Sequence, residues 1–419
     1  MYKYFYCIFF FAASVLSLQS YGLPLTMRQT FTFLMFVTCF ICDGKLWINR
    51  YLKLYWTFVF FYGISSLFTG SFASFLLRLI GDYFVAYVAL WAIRILIIRY
   101  KSLNFFFYIA LLIGFFDGLV TLLQFLGLDY LGVFLNKFQL VSYNVYLNSN
   151  TELDIDTRMM CAPGVFSHPV LNAHALTAFT ILSLIIIKKN FLIGTFSTMF
   201  MLTTLFATQQ RMPFLLGILC CVIYTYKNFS KSKYIFILYP ILTIVLLLIG
   251  FELYVFVSNG DFRYSNVGLD STGRDELYRK SIQFIIDNPL GGLRSFVKTT
   301  NNYPHNLIFS AFIYAGWIGG MILLYIVFLQ IRECYDSLKN NETSESVYIL
   351  ALAVVSLTAN GLTHNQSIIN GEIITWTIWG TFYYSKIQIY KQNNETKINN
   401  FSHKQISTRW SGKNAKVFG

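Results

Sequence analysis

Long apolar runs separated by short polar stretches make up most of this chain. A membrane-spanning helix needs about 20 mostly apolar residues, and runs of that kind recur along the sequence. The pattern predicts twelve spans, at about 4–20, 29–44, 54–70, 82–98, 104–125, 171–187, 190–207, 212–227, 234–256, 306–331, 347–363 and 368–385. It therefore predicts an all-α polytopic integral membrane protein of about 12 transmembrane helices, with both chain ends on one side of the bilayer.

One short apolar stretch, 72–81, does not fit this pattern simply. It contains Arg78, and a charged side chain in open lipid costs about 2.5–3.5 kcal/mol on insertion scales. The stretch is therefore interpreted as a lip at the membrane surface or a re-entrant piece. Asp82 and Asp117 also lie in or near spans. We expect each to face the bundle interior, either in a proton path or in polar contacts between helices.

Two long polar intervals and the C-terminal end interrupt the apolar pattern. The first interval runs from about 127 to 170 and the second from about 258 to 304. Residues 387–419 form a basic tail that is rich in Asn, Lys and Ser, and 1–386 are interpreted as a single polytopic membrane domain. The tail has weak periodicity and is expected to be mobile.

A short amphipathic helix is predicted inside the second polar interval. Asp275 and Glu276 would occupy its first turn, where the helix dipole favours anions. Asn288-Pro289 would end the helix. The apolar residues expected near one face are Leu277, Ile282, Ile285 and Ile286.

Composition and charge support this interpretation. The chain is 56% hydrophobic and 12% charged, whereas a soluble domain carries about 25% charged residues. With the N-terminus inside, 21 of the 32 lysines and arginines fall in cytoplasmic segments, as the positive-inside rule requires. Both termini are then cytoplasmic and both long loops face outward. Because this distribution accounts for the net charge of +13, that charge does not indicate nucleic-acid binding. The first 20 residues lack a clear cleavage site and are interpreted as a retained helix.

Several arginines lie on the outer side, against the charge bias that sets topology. A guanidinium is planar, permanently charged and able to hold a phosphate with two hydrogen bonds at once. A group of them at the outer surface would suit a lipid-linked pyrophosphate. The alternative is that each arginine only snorkels to the headgroups. The residues concerned are Arg158, Arg211, Arg274, Arg279 and Arg294.

His305 lies at the mouth of a predicted span, directly after Pro304. A histidine can accept a proton near neutral pH, so His305 is a candidate base toward an incoming sugar hydroxyl. The alternative is a capping or interfacial histidine. Asn306 would orient His305 or cap the helix. His168 and His174 flank the end of the first outer loop and are weaker candidates for a direct role.

Metal and cofactor chemistry have little support in the sequence. Asp154-Ile-Asp156 forms an isolated D-x-D pair in the first outer loop, and Cys39 and Cys42 form a single C-x-x-C inside a predicted span. One such pair does not make a zinc site. The sequence contains no Walker loop, dinucleotide fingerprint, H-E-x-x-H or G-x-S-x-G. We therefore expect neither a metal nor a cofactor.

A series of short motifs follows in order between about 158 and 330. They are Arg158 with Pro163-Gly164-x-Phe166-x-x-Pro169, Thr208-Gln-Gln-Arg211, Thr272-Gly-Arg274, Asn288-Pro-Leu-x-Gly292, His305-Asn306 and Gly316-Trp-Ile-Gly319. This order of motifs, together with the outward topology, is similar to that of the O-antigen polymerase and O-antigen ligase superfamily of bacterial envelope glycosyltransferases. One departure is the arginine turn, which in the family usually has Ser-Arg followed by small residues and here has Gln-Arg-Met-Pro.

The resemblance implies metal-independent glycosyl transfer at the periplasmic face of the bacterial inner membrane. The donor would be an oligosaccharide on undecaprenyl pyrophosphate. Arg211 and Arg274 would bind the pyrophosphate, and His305 would serve the acceptor. Further substrate-binding candidates are Arg158, Arg279, Arg294, Asn306 and His168. The expected partners are the lipid-linked oligosaccharide, the bilayer and a chain-length regulator protein, with no nucleic acid.

Three functions remain open at this point. A polymerase would transfer the glycan to another lipid-linked repeat unit, and a ligase would transfer it to the lipid A core. Arg274 and His305 are only 31 residues apart, a compact loop that favours a polymerase. A flippase for lipid-linked oligosaccharides is the third possibility. A transporter would place its charges near the bilayer midplane, whereas here they collect in outer loops, which favours an enzyme.

Overall fold

A computed structural model describes residues 1–15, 26–126, 162, 164–166, 169–229, 274–363, 369 and 372–390. Regular structure in this part of the chain is helical throughout, which confirms the predicted all-α class. The predicted span at 234–256 and most of the first outer loop lie outside the described residues. The same is true of the tail beyond residue 390.

The helices of the described part follow the predicted spans closely. They are α1 Tyr2–Ser14, α2 Met27–Asp43, α3 Arg50–Phe68, α4 Phe72–Arg99, α5 Leu103–Phe125, α6 Pro169–Lys189, α7 Phe191–Ala207, α8 Arg211–Phe229, α9 Arg274–Asp287, α10 Leu293–Thr300, α11 Leu307–Lys339, α12 Glu345–Gly361 and α13 at 373–390. By length and composition α4, α5, α6 and α11 can each cross a membrane, which confirms a polytopic membrane protein. The total of twelve spans stays a prediction. The last helix runs to residue 390, past the expected domain boundary at 386.

Helix α4 includes the whole stretch 72–81. The stretch is not a re-entrant turn, because it continues without a break into the span predicted at 82–98. Two π-helical turns interrupt the regular α-geometry, at Leu79–Tyr83 and Ile95–Arg99. Such turns insert one extra residue and occur frequently at functional sites. The sequence pattern misses the continuity because Arg78 makes the stretch look too costly for lipid.

The bundle is organised around α6 and around the pair α3–α11. Helix α6 packs against α5, α7, α8 and α12, and α3 packs along α11. Large aromatic side chains fill the interior, and Trp91, Trp376 and Trp379 are almost completely buried. The Tyr55 and Trp376 ring centroids are 4.4 Å apart. Aromatic packing of this kind contributes beyond the area it buries.

The described part of the second polar interval, 274–304, contains two helices, whereas the sequence predicts one. Helix α9 coincides with the predicted amphipathic helix, and its buried face agrees with the prediction at Leu277 and Ile285 but not at Ile282 and Ile286. Ile282 and Ile286 are exposed, at 48% and 60%, whereas Leu277 and Ser281 are buried. Residues four apart lie on one helix face, so the face turned to the bundle runs through 277 and 281. The additional helix α10 buries Phe296.

Candidate functional site

A direct backbone contact joins the outer loop to helix α11. The loop between α9 and α10 lies against a kink in α11 at Gly316, where the backbone leaves helical geometry with φ 67°. Gly292 N donates to Ile313 O at 2.8 Å, and Trp317 N donates to Pro289 O at 2.9 Å. The loop therefore supplies backbone partners where the kink interrupts the α11 hydrogen-bond ladder. We call this contact, made by 288–292 and 313–317, the backbone clasp.

Glycine is required on both sides of the clasp. A Cβ added to Gly291 would lie 2.7 Å from Gly316 N, and one added to Gly316 would lie 2.5 Å from Pro289 O. Both distances are far below van der Waals contact. Both glycines also have positive φ, which other residues adopt only at a cost. The Asn-Pro-Leu-x-Gly and Gly-Trp-Ile-Gly motifs are therefore the two halves of one contact.

Side chains extend the clasp into a larger contact between α9, α10 and the first half of α11. We call these three packed elements the platform. Leu277, Phe296 and Ile313 form a small apolar cluster between α9, α10 and α11. Trp317 Nε1 donates to Ile285 O at 2.8 Å. Arg294 Nη1 donates to Gly70 O at 2.7 Å, which ties α10 to the turn between α3 and α4. The platform thus holds both loop helices against the bundle.

The platform carries three of the predicted arginines. Arg274 is the first residue of α9, and its side chain lies outside the described part of the protein. Arg279 is exposed on the same helix. Arg294 is exposed, and its guanidinium donates one hydrogen bond to Gly70 O. Helix α9 also carries Asp275, Glu276 and Asp287, so the excess of positive charge on the platform comes from Arg294 and Lys298 of α10.

Glu276 and Lys280 form an i,i+4 ion pair on α9, with 2.7 Å between Glu276 Oε1 and Lys280 Nζ. The hydrogen bond from Lys280 holds the pKa of the Glu276 carboxyl below its ordinary value. Both side chains are well exposed, so the pair contributes little to stability. Lys280 is thereby engaged on α9 itself and is a weaker candidate for an anion contact than the arginines.

Asn306 caps α11 and fixes the position of His305 before it. Asn306 Oδ1 accepts from Ile308 N at 2.8 Å and Phe309 N at 3.3 Å, and Asn306 Nδ2 donates to Leu362 O at 2.7 Å. Of the two roles predicted for Asn306, the structure shows capping. His305 is half-buried and has a partner in the structure. The cap joins the start of α11 to the end of α12, so His305 has a rigid support.

A fully buried polar cluster lies at the same end of α12. Asn360 Nδ2 lies 2.8 Å from His174 Nδ1, and His174 Nε2 lies 2.8 Å from Thr375 Oγ1. The Glu372 carboxylate caps α13, accepting from Ile374 N at 2.9 Å and Thr375 N at 2.6 Å. His174 therefore connects three helices and is enclosed among them, which supports a structural role over a direct one.

A second polar contact holds the Pro-Gly-x-Phe motif against α5. Gly164 N donates to Gln124 Oε1 at 2.7 Å, and Val165 N donates to Asp117 Oδ1 at 2.9 Å. A Cβ on Gly164 would lie 2.3 Å from Asp117 Oδ1 and 2.5 Å from Asn172 Nδ2. Asp117 thus faces the interior, as expected, and acts as a polar contact between α5 and the turn at 164–166.

The arginine turn lies between α7 and α8, and its backbone is linked to this motif. Ala162 N donates to Ala207 O at 3.4 Å. Arg211 is the first residue of α8; it is exposed and has a partner in the structure. Gln209, two residues earlier, has φ 58° and a side chain that is 2% exposed. Neither Gln209 Nε2 nor Oε1 has a hydrogen-bond partner among the described residues.

Gln209 and Arg78 are the residues that sequence reasoning misses. A buried amide with both atoms unpaired costs free energy, and positive φ in a non-glycine residue adds strain that collects at functional sites. No local sequence signal marks Gln209, because the departure from the Ser-Arg pattern of the arginine turn falls at the next residue, Gln210. For Arg78 the signal is a cation inside an apolar run, which the pattern attributes to a membrane lip instead.

Two predicted site residues, Arg158 and His168, lie outside the described residues, as does the pair Asp154 and Asp156. In the part of the chain that is described, no three His, Cys, Asp or Glu side chains come together as a metal site would need. The structure instead brings α9, α10 and the first half of α11 into one platform. The platform carries the exposed cations Arg279 and Arg294, and the half-buried His305 directly precedes α11.

Residues 196–324 match the protein family described as O-antigen ligase. The matched segment contains the arginine turn, the platform and the start of α11. It confirms the predicted resemblance to the O-antigen polymerase and ligase superfamily. The match supports an enzyme of the glycosyltransferase type in a multi-pass membrane protein. No curated protein sequence matches the chain significantly.

Proposed function

We propose that this chain, which carries a segment of the O-antigen ligase family over residues 196–324, is a polysaccharide polymerase of the bacterial inner membrane. It transfers a glycan from undecaprenyl pyrophosphate to another lipid-linked repeat unit at the periplasmic face. Both termini are placed in the cytoplasm by the charge distribution. The observation that carries the proposal is the platform, which holds Arg274, Arg279 and Arg294 beside the capped start of α11 within the matched segment.

The chemistry of the proposal follows from the charges. When the glycosidic bond to the lipid breaks, the pyrophosphate departs with negative charge that fixed guanidinium groups stabilise. Arg211 and Arg274 are assigned to this role, with Arg279, Arg294 and Arg158 as further contacts. The donor bond itself stores the energy for transfer. A nucleotide, a metal and a cofactor are therefore unnecessary in the proposed reaction.

The acceptor hydroxyl must lose a proton as the new bond forms. His305 is assigned as the base, since the Asn306 cap fixes it at the membrane edge next to the platform. His168 would lie on the acceptor side in this scheme. The unpaired amide of Gln209 is suited to a sugar hydroxyl, which donates and accepts hydrogen bonds at once.

A ligase that transfers the glycan to the lipid A core is the second candidate, and the family description favours it. The compact spacing of Arg274 and His305 favours the polymerase. A deletion strain separates the two. Loss of a polymerase leaves one repeat unit on the core, whereas loss of a ligase leaves a bare core and long lipid-linked polymer. A chain-length regulator protein is an expected partner of the polymerase only.

A direct test uses purified protein, lipid-linked repeat units and no membrane gradient. The proposed enzyme lengthens the glycan under these conditions, and a flippase does not. Arg274→Lys should retain insertion and folding but lose most of the activity, because an ammonium group cannot make the bidentate phosphate contact. Lys280→Gln, nearly two turns further along α9, is the control and should retain activity. Normal polymer from Arg274→Lys would contradict the assigned role.

A further inference from the structure

Arg78 is a cation inside a helix that is long and apolar enough to span a membrane. It lies in the second turn of α4, at the end of the helix nearest the platform. Placing an arginine at membrane depth costs about 2.5–3.5 kcal/mol on insertion scales, and such residues are functional candidates by default. A physical account of Arg78 must therefore identify what offsets this cost.

The protein contacts of Arg78 leave its charge uncompensated. Arg78 Nη1 donates to Tyr314 Oη at 3.0 Å, and the guanidinium carbon lies 5.2 Å from the centroid of the same ring. Within the described part of the chain Arg78 makes no ion pair. The nearby carboxylate, Asp82, has its Oδ1 3.7 Å from Arg28 Nη1. Asp82 is therefore paired with Arg28 rather than with Arg78, and the three side chains together carry a net charge of about +1 when all are ionised.

Tyrosines line the space around this charge. The Tyr314 ring lies edge-on to Tyr62, with centroids 5.1 Å apart, and Tyr62 lies 6.0 Å from Tyr83. The Tyr83 side chain is fully buried, and its hydroxyl has no hydrogen-bond partner among the described residues. An unpaired buried donor beside an uncompensated cation is the pattern expected around the oxygen atoms of an anion.

The position of Arg78 relates this cluster to the platform. Arg294 donates to Gly70 at the turn where α4 begins, and Arg78 follows Gly70 by eight residues. Helix α4 begins at Phe72, so at a rise of about 1.5 Å per residue Arg78 lies roughly 9 Å along the helix. Tyr314 lies inside the clasp segment of α11. The cation is therefore on the membrane side of the platform, and Arg294 is on its outward side.

We propose that Arg78, with Tyr314 and Tyr83, binds the lipid-proximal phosphate of a polyprenyl pyrophosphate. This rests on the proposed function and extends it, because it adds a phosphate contact at membrane depth below the platform arginines. Phospholipid headgroups carry the same phosphate chemistry. Arginines that bind phospholipid headgroups extend their side chains toward the membrane surface, whereas the Arg78 guanidinium is turned inward to Tyr314 of α11.

The experiment measures binding of a sugar-free polyprenyl pyrophosphate to the purified protein in phosphatidylcholine nanodiscs. Arg78→Gln and Arg78→Lys should each raise the dissociation constant at least tenfold, because both lose the bidentate contact. The matched control is Arg50→Lys, since Arg50 Nη2 donates to Tyr325 Oη at 2.9 Å near the middle of the same α11. The control should bind the probe as the wild type does.

Two results would overturn the proposal. The first is unchanged affinity in Arg78→Gln protein that unfolds at the wild-type temperature. The second is displacement of the probe by phosphatidylglycerol at similar concentrations, which would make the cluster a general lipid contact. If the Arg78 variants unfold, Tyr83→Phe removes a single hydroxyl and should still weaken binding several-fold; unchanged binding there also refutes the proposal. Absence of glycan transfer by the wild type, with probe binding intact, would refute the proposed function alone.

Discussion

The amide nitrogen of Trp317 lies 2.9 Å from the carbonyl oxygen of Pro289. Together with the bond from Gly292 N to Ile313 O, this hydrogen bond joins the loop between α9 and α10 to the interior of a long apolar helix. It is possible only because Gly316 opens the helix at that point, with φ 67°. The orientation of α9, and with it the position of Arg274, therefore depends on a glycine that is distant in sequence.

Gly316→Ala should separate the platform from the bundle. The new methyl group would lie 2.5 Å from Pro289 O, so the clasp must open to admit it, in addition to the cost of positive φ. We expect glycan transfer to fall by at least tenfold and the segment 274–304 to become sensitive to protease. Limited proteolysis and a transfer assay on the same preparation measure both effects.

Gly44→Ala is the matched control for that substitution. Gly44 ends α2 with φ 69°, and nothing lies within 4 Å of the position that a Cβ would take there. Gly44 is in the left-handed region, with ψ 1°, where alanine costs roughly 1–2 kcal/mol. Gly316 has ψ −170°, in a region that essentially only glycine adopts, so Gly44→Ala carries a smaller backbone cost and no steric clash. It should leave transfer and proteolysis nearly unchanged. Equal behaviour of the two alanine variants would show that the clasp does not position the platform.

Gln209→Gly should raise the unfolding temperature while lowering glycan transfer. Glycine relieves the positive φ of 58° and removes an amide whose two polar atoms have no partner among the described residues. Those penalties, about 1–3 kcal/mol each, outweigh the roughly 0.5–1 kcal/mol that glycine loses in unfolded-state entropy. Thermal unfolding in detergent and the transfer assay measure the two effects.

Asn301→Gly gives the comparison for Gln209. Asn301 has nearly the same φ, 55°, but is exposed at the end of α10. It should change stability by only a few tenths of a kcal/mol and leave transfer intact. Destabilisation by Gln209→Gly would mean that the amide is satisfied in the folded protein, and normal transfer would remove it from the substrate site.

The spans are predictable because apolar length alone defines them, and the described helices follow the predicted boundaries within a few residues at most ends. The failures come from tertiary contacts that no local pattern encodes. Arg78 looks too costly for a span because its partner, Tyr314, is more than 230 residues away. The buried face of α9 is misassigned from sequence at Ile282 and Ile286 because both are apolar yet exposed.

The candidate site likewise combines features that a local sequence predicts with contacts that only the folded chain makes. His305 and Asn306 are recognisable from a local sequence, Pro-His-Asn before an apolar run, and the cap by Asn306 follows. The pairing of Gly291 with Gly316 is not recognisable, since only the folded chain brings the two backbones within contact. The sequence makes His174 a weak site candidate, and its enclosure by Asn360 and Thr375 emerges only from the packing of α6, α12 and α13.

His174→Ala should destabilise the protein without a specific effect on substrate affinity. Removing the ring leaves Asn360 Nδ2 and Thr375 Oγ1 without their partner and creates a buried cavity, a loss of about 2–4 kcal/mol. Thr177→Val is the control on the same helix. Its hydroxyl bonds only to Ala173 O, one turn away, so its effect should be below about 1 kcal/mol. Thermal unfolding ranks the two, and equal stability would refute the structural role of His174.

His305 carries the proposed mechanism, and its support by Asn306 makes a sharp prediction possible. If it accepts the proton of the acceptor hydroxyl, His305→Ala should still bind the lipid-linked donor, because the arginines remain. Turnover should fall by about a hundredfold to ten-thousandfold, the usual contribution of a positioned general base. The wild-type rate should rise with pH as the histidine loses its proton, since only the neutral imidazole can act as a base.

His305→Gln separates the base from a positioning role. Glutamine keeps a hydrogen-bonding group of similar reach but cannot take a proton, so it should be as slow as alanine if His305 is the base. Near-normal turnover in this variant would leave His305 as a positioning residue. Loss of donor binding in His305→Ala would instead place it in the pyrophosphate site. Donor affinity and single-turnover rate are measured in the same preparation of His305→Gln. In this variant only the base role lowers the rate and leaves the affinity for the donor unchanged.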